Sequence, residues 1–151
     1  MTGGHTIGIA HCTSFSDRLY PTQDRTLNKN FAQRLYTVCP SKSSSNTTVL
    51  DIRTPNVFDN KYYVDLMNRQ GLFTSDQDLY TDSRTRAIVN DFALHQDLFF
   101  QKFAVAMVKM SQLSVLTGSK GEIRRNCSAH NPASIVEVET EDVNESYVSF
   151  M

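Results

Sequence analysis

Tryptophan is absent from this chain, and neither sign of charge dominates it. Fifteen Lys and Arg stand against sixteen Asp and Glu, a formal net charge of −1 over 151 residues. No basic stripe follows a phosphate backbone, so no nucleic-acid partner is expected. The main body has no acidic block of the kind that keeps a chain solvated. Long apolar runs are also lacking. Each is short and interrupted by Lys, Asp or Gln, which argues against a membrane span. The opening residues Met1-Thr2-Gly3-Gly4-His5 have no basic n-region and no apolar h-region, so no signal peptide is read there. A chain that opens on a Gly-Gly turn beside chemistry is expected to begin at an internal Met or in a truncated gene. There are no internal repeats, and the length suffices for one domain with a core.

Cysteine is scarce and odd in number: Cys12, Cys39 and Cys127. Their spacing fits no CxxC zinc or redox motif. They are either three buried thiols in a reducing compartment, or one bridge plus an orphan in an oxidising one. Three N-x-S/T tripeptides, at Asn46, Asn126 and Asn144, lean toward secretion. The first lies in the polar run Ser41-Lys42-Ser43-Ser44-Ser45-Asn46, which reads as an exposed loop.

What is present is helical periodicity, so the class is mainly α. A short helix broken at Pro21 is expected within residues 5–20. Leu27, Phe31, Leu35 and Tyr36 mark a helix over residues 26–36, ended by Pro40 and the Ser run. Tyr63, Leu66 and Met67 mark another over residues 60–70, with Gly71 as its C′ residue. A third, over residues 83–94, is capped within Thr81-Asp82-Ser83. The strongest period, residues 96–113, carries a stripe of Phe99, Phe103, Ala106, Met107 and Met110 suited to burial. Met there is a gap-filler rather than a sign of a cofactor. Residues 1–130 form the domain. Residues 131–151 read as a separate, mobile, acidic-hydrophobic tail.

Two constellations carry possible chemistry. Gly3-Gly4-His5-Thr6-Ile7-Gly8 sets a His among glycines, where backbone can approach a flat ligand closely. Taken alone, such a His is more often structural. Asp51, Thr54 and Asp59 share one short loop of hard oxygen donors. Calcium needs about six to eight oxygens, so a second segment would have to contribute. The spacing is not that of an EF-hand, and solvated loop carboxylates are the plain alternative. Asp76, in Ser75-Asp76-Gln77-Asp78, reads as an N-cap or a buried hydrogen-bond partner.

These pieces, in order, resemble the C-terminal half of secretory (class III) plant peroxidases. The motifs are Gly3-Gly4-His5-Thr6-Ile7-Gly8, Asp17-Arg18-Leu19-Tyr20, the run from Asp51 to Tyr63, Gly71-Leu72-Phe73-Thr74-Ser75-Asp76-Gln77, and Met107-Val108-Lys109-Met110 with the strand-like Gly121-Glu122-Ile123-Arg124-Arg125-Asn126-Cys127. The resemblance covers about residues 3–128. It implies the proximal half of the haem-peroxidase helical fold, with haem b and calcium as cofactors. His5 would be the axial iron ligand, and Asp76 would accept a hydrogen bond from its other ring nitrogen. Thr6, Asp51, Thr54 and Asp59, with the Val57 carbonyl, would hold calcium beside it. Leu50 stands where some members pack a Phe against the proximal imidazole. Cys12 and Cys39 would form a disulfide, and Cys127 would normally pair with a cysteine outside this sequence.

The implied substrates are hydrogen peroxide and small phenolic donors, and no specific protein partner is implied. The implied location is outside the cell or in the vacuole, where some members are routed by tails of this character. The distal His and Arg that act on peroxide in the family have no counterpart among these residues. Each such contribution is worth orders of magnitude in rate. A non-catalytic remnant that binds haem and calcium is therefore the alternative expectation.

Overall fold

The computed structural model describes residues 2–132 and divides into two compact units, Met1–Leu113 and Ser114–Met151. The expected tail, residues 131–151, lies outside the described residues except for its first two positions.

The first unit begins with three short 3-10 turns, Thr2–Thr6, Cys12–Ser14 and Ser16–Arg18, rather than one broken helix. Between the first two runs strand β1, Ile9–His11, antiparallel to β2, Thr47–Val49. Ile9 faces Val49 and His11 faces Thr47. The ladder extends at both ends, with Leu50 N donating to Gly8 O (3.1 Å) and Cys12 N to Asn46 O (2.9 Å). Gly8 has φ +120°, a conformation open to glycine, and it turns the chain from the first 3-10 turn into the strand. This pairing was not foreseen, because three-residue strands carry too little alternation to read. It has a large consequence: it fastens the chain just after Thr6 to the chain just before Asp51.

Helix α1, Lys29–Val38, is capped by Asn28, whose side chain accepts from Asn30 N and Phe31 N. It buries Phe31, Ala32 and Leu35. Cys39 follows at once and bridges Cys12, with a Cα–Cα separation of 5.6 Å. The implied disulfide is therefore formed, and Cys127 is free and exposed. The bridge sits in a core of Phe15, Leu19, Leu27, Phe31, Leu35, Leu50 and Leu72. The Ser41–Asn46 loop is largely exposed, as its composition demands.

Helix α2, Lys61–Met67, buries Tyr62, Tyr63, Asp65 and Leu66. The left-handed residue after it is Arg69 (φ 59°), not Gly71. Gly71 serves a different need. A Cβ there would meet Leu66 Cδ2 at 2.7 Å and Gln77 N at 3.1 Å, so glycine permits close packing. Helix α3, Thr74–Thr81, was not expected as a helix, and Asp76 within it was read as an N-cap or a buried hydrogen-bond partner. Its sequence is polar, and Asp76 and Gln77 are its buried residues, so no apolar period announced it. Helix α4, Ser83–Leu94, has the expected bounds and the expected cap, with Asp82 accepting from Arg84 N.

Helix α5, Gln96–Ser111, buries only Phe99 of its expected stripe. Phe99 packs with Tyr62, Tyr63, Leu66 and Val89 in a second core. Phe103 and Ala106 are half-buried, whereas Met107 and Met110 are 38% and 44% exposed. The helices α2 and α4 reach only its first turns. Beyond Ala106 the residues of α5 are exposed.

In the second unit, a 3-10 turn spans Gly118–Lys120. The segment 121–127 forms no strand here, contrary to the expected strand-like ending. Glu122 pairs there with Arg124 and His130.

Candidate metal centre

His5 lies in the first 3-10 turn and Asp76 in the first turn of α3, 71 residues apart. The structure brings them together: His5 Nδ1 is 2.8 Å from Asp76 Oδ1. Asp76 is 1% exposed and the His5 ring 29% exposed. Asp76 is an acceptor saturated with donors. Its Oδ1 also accepts from Tyr62 OH at 2.8 Å, and its Oδ2 accepts from Phe73 N at 2.9 Å. The bond to Phe73 N closes the first turn of α3 and fixes the carboxylate's orientation. With a carboxylate on Nδ1, the ring carries its proton there and leaves the Nε2 lone pair free for a metal.

Two aromatic edges hold the imidazole. The Phe73 ring centre lies 5.5 Å away at 64°, and that of Tyr62 lies 5.9 Å away at 85°. Neither was singled out from sequence. Leu50, expected beside the imidazole, belongs to the disulfide core with Leu72 and Phe15. From sequence, Tyr63 marks a helix face with Leu66 and Met67, and Tyr62 stands only within the run from Asp51 to Tyr63. Burial first, then the charge and hydrogen bond of Asp76, push the Tyr62 phenol well above the ordinary tyrosine range. Burial alone pushes Tyr63 up to about 12.

The two glycines before His5 differ. A Cβ on Gly3 would meet Tyr63 OH at 2.9 Å and Phe99 at 3.2 Å, so Gly3 serves packing within the protein. A Cβ on Gly4 would meet nothing within 4 Å. The open space at Gly4, a part-exposed imidazole and an unengaged Nε2 fit a flat iron cofactor.

Arg18 fixes this arrangement from behind and was also missed as an individual residue. Its guanidinium is buried, with 1% exposure. Nη1 faces the carbonyls of Gly71, Leu72 and Phe73, Nε donates to Asp24 (2.9 Å), and Nη2 donates to Thr26 Oγ1 (2.9 Å). Arg18 thereby clamps the segment that delivers Phe73 and Asp76. The Asp17-Arg18-Leu19-Tyr20 motif was its only signal in the sequence.

The residues expected to form an oxygen cradle lie on two segments, and one hydrogen bond joins the two. Thr6, fully buried, donates from Oγ1 to Asp59 O at 2.8 Å. Asp51 is fully buried and accepts through Oδ1 from Arg53 N (2.8 Å) and Thr54 N (3.0 Å). Thr54 Oγ1 stands 3.4 Å from Asp51 Oδ2. Asp59, 8% exposed, accepts from Lys61 N through Oδ1. Val57 N donates to Thr54 O, which curls the loop, and the Val57 side chain is exposed.

Among the described residues no three His, Cys, Asp or Glu side chains group as a metal site. A cradle here must draw on hydroxyls and carbonyls around only two carboxylates. Two buried carboxylates without a basic partner among the described residues do fit a hard cation. The nearby buried Asp65 pairs instead with Arg53 (2.6 Å). Its burial, followed by the Asp51 charge, outweighs that pairing and pushes it up to about 7.

The chain is mainly helical and sets a buried carboxylate behind a part-exposed histidine. Comparison with known proteins places it more closely. The sequence model of the peroxidase family matches residues 1–95. Peroxidase 12 of Arabidopsis thaliana is 65% identical over 146 residues, 97% of this chain and 41% of that protein. Cationic peroxidase SPC4 of Sorghum bicolor is 60% identical over 133 residues, 88% of this chain and 37% of that protein. Peroxidase 2 of Hordeum vulgare is 46% identical over 134 residues, covering 87% of this chain and 79% of that protein. The chain belongs to the peroxidase family, among the class III plant peroxidases. It spans 41% and 37% of the length of the first two relatives.

Proposed function

We propose that this chain carries the iron-holding side of a haem peroxidase that oxidises small phenolic donors with hydrogen peroxide. The observation that carries the reading is the 2.8 Å contact between His5 Nδ1 and the buried Asp76 carboxylate. Haem b, when bound, supplies the redox chemistry that reduces peroxide to water with electrons and protons from the donors. His5 would hold the haem iron through Nε2. Asp76 holds the Nδ1 proton, makes the imidazole electron-rich and prevents the ring from turning. Phe73 and Tyr62 wall the ring from the side.

Thr6, Asp51, Thr54 and Asp59, with the Val57 carbonyl, hold calcium. Because Thr6 follows His5 directly, a cation there stiffens the backbone that presents the ligand. The Cys12–Cys39 bridge suits an oxidising compartment, outside the cell or in the vacuole. No described helix is long and apolar enough to cross a membrane.

The test is to load the 151-residue chain with haem and calcium and record its Soret band beside that of His5→Ala. A band that His5→Ala loses supports the reading, and an equal band in both overturns it. Peroxide turnover is measured separately. Haem binding without turnover would remove the catalytic part and leave a non-catalytic haem- and calcium-binding chain.

A further inference from the structure

We infer that Tyr62 is a positioning residue for His5: its phenol shares Asp76 Oδ1 with the imidazole and so sets how strongly the carboxylate draws on the Nδ1 proton. The inference rests on the reading of His5 as a metal ligand and names the group that adjusts it.

Two donors converge on one oxygen, each at 2.8 Å, and a third takes the other oxygen. A buried carboxylate has finite acceptor capacity, and each hydrogen bond withdraws charge from it. With Tyr62 in place, Asp76 is a weaker acceptor toward His5 than a carboxylate facing the imidazole alone. Without the phenol the carboxylate would draw more strongly on the Nδ1 proton. At 1% exposure Tyr62 meets no competing water, and its hydroxyl, with the Thr2 side chain also beside it, donates to Asp76 Oδ1.

Tyr62 also closes a ring. Thr6 Oγ1 bonds Asp59 O, the chain runs three residues to Tyr62 at the start of α2, Tyr62 bonds Asp76, and Asp76 bonds His5 beside Thr6. Displacement of the oxygen cradle therefore reaches the imidazole by two routes, one through the backbone of Thr6 and one through the phenol. Tyr63, the next residue, points its hydroxyl toward Gly3 and lies outside this ring.

The experiment compares Tyr62→Phe with Tyr63→Phe in the full chain, before and after haem loading. Before loading, NMR of the His5 Nδ1–H proton is read. Tyr62→Phe should move it downfield as the His5–Asp76 bond shortens, and Tyr63→Phe should leave it in place. A fluorinated tyrosine at position 62, a stronger donor of the same shape, should move it upfield, which keeps the test decisive if Tyr62→Phe fails to fold. After loading, the iron–imidazole stretch should rise and the reduction potential should fall in Tyr62→Phe. An unchanged Nδ1–H resonance in both position-62 variants overturns the inference. Loss of the His5-dependent haem band in the unsubstituted chain would overturn the metal-ligand reading instead, while the metal-free NMR result still decides the role of Tyr62.

Discussion

The disulfide core and helix α5 contain similar apolar residues and treat them in opposite ways. Around Cys12–Cys39, Phe15, Leu19, Leu27 and Leu35 are each 1–2% exposed. Even the charged Arg18 is buried there, with its donors paired to three carbonyls, a hydroxyl and a carboxylate. Along α5 only Phe99 reaches such burial, while Val105, Val108 and Met110 are 53%, 57% and 44% exposed. Composition is not what separates the two regions. Residues 5–50 return on themselves through a strand pair and a bridge, which brings the faces of Phe15, Leu19, Leu27 and Leu35 together and leaves Ile7 and Ile9 outside. Helix α5 runs past α2 and α4 after its first turns. Burial is a property of facing surfaces, and an apolar stripe only requests it.

Substitutions can break or sharpen this contrast. The largest effect is expected at Arg18. Arg18→Met strands buried carbonyls and the Asp24 carboxylate, and by analogy with broken buried pairs should lower unfolding stability by about 3–5 kcal/mol in a denaturant titration. The paired change Cys12→Ser and Cys39→Ser should follow, with a loss of about 2–5 kcal/mol, typical of a native bridge in a small domain.

A pH dependence of stability should arise from Asp65. Unfolded, it titrates near 3.8; folded, burial and Asp51 hold its proton up to about 7. Between those values the folded state binds more protons, so stability falls as pH rises through the window and levels above it. Asp65→Asn should flatten that slope in calcium-free thermal melts, and an unchanged slope would show that Asp65 titrates normally. The smallest effects belong to α5. Met110→Ala and Val108→Lys should stay within about 0.5 kcal/mol of the parent, as exposed positions do. A loss of several kcal/mol at either would mean that this face is covered in solution.

Much of the candidate site could be read in the sequence, for uneven reasons. His5, Asp76, Thr6 and the Asp51–Asp59 loop were recognisable as ordered motifs, and the fold brings His5 to Asp76, Thr6 to Asp59 and Thr54 to Asp51. Helix α4 was legible in its bounds because its cap is a local signal, although Val89 is its buried residue while Ile88 and Leu94 are exposed. Helix α3 was not, since its buried residues are polar and its purpose is to present Asp76 and Gln77. Phe73, Tyr62 and Arg18 carried no individual signal. Each acts through a partner 50 or more residues away or through a ring edge, and period-based reading has no access to such pairs.

By itself, the sequence determined the helical class, the Asp82 cap of α4, the family and the residue types at the candidate metal centre, because these depend on local chemistry and ordered motifs. Only the tertiary structure decided which donors share the Asp76 carboxylate, which of the two glycines faces open space, and how much of the α5 stripe is buried. Those outcomes depend on which surfaces meet across the fold, and a hydrogen bond or a buried face exists only once both partners are in place.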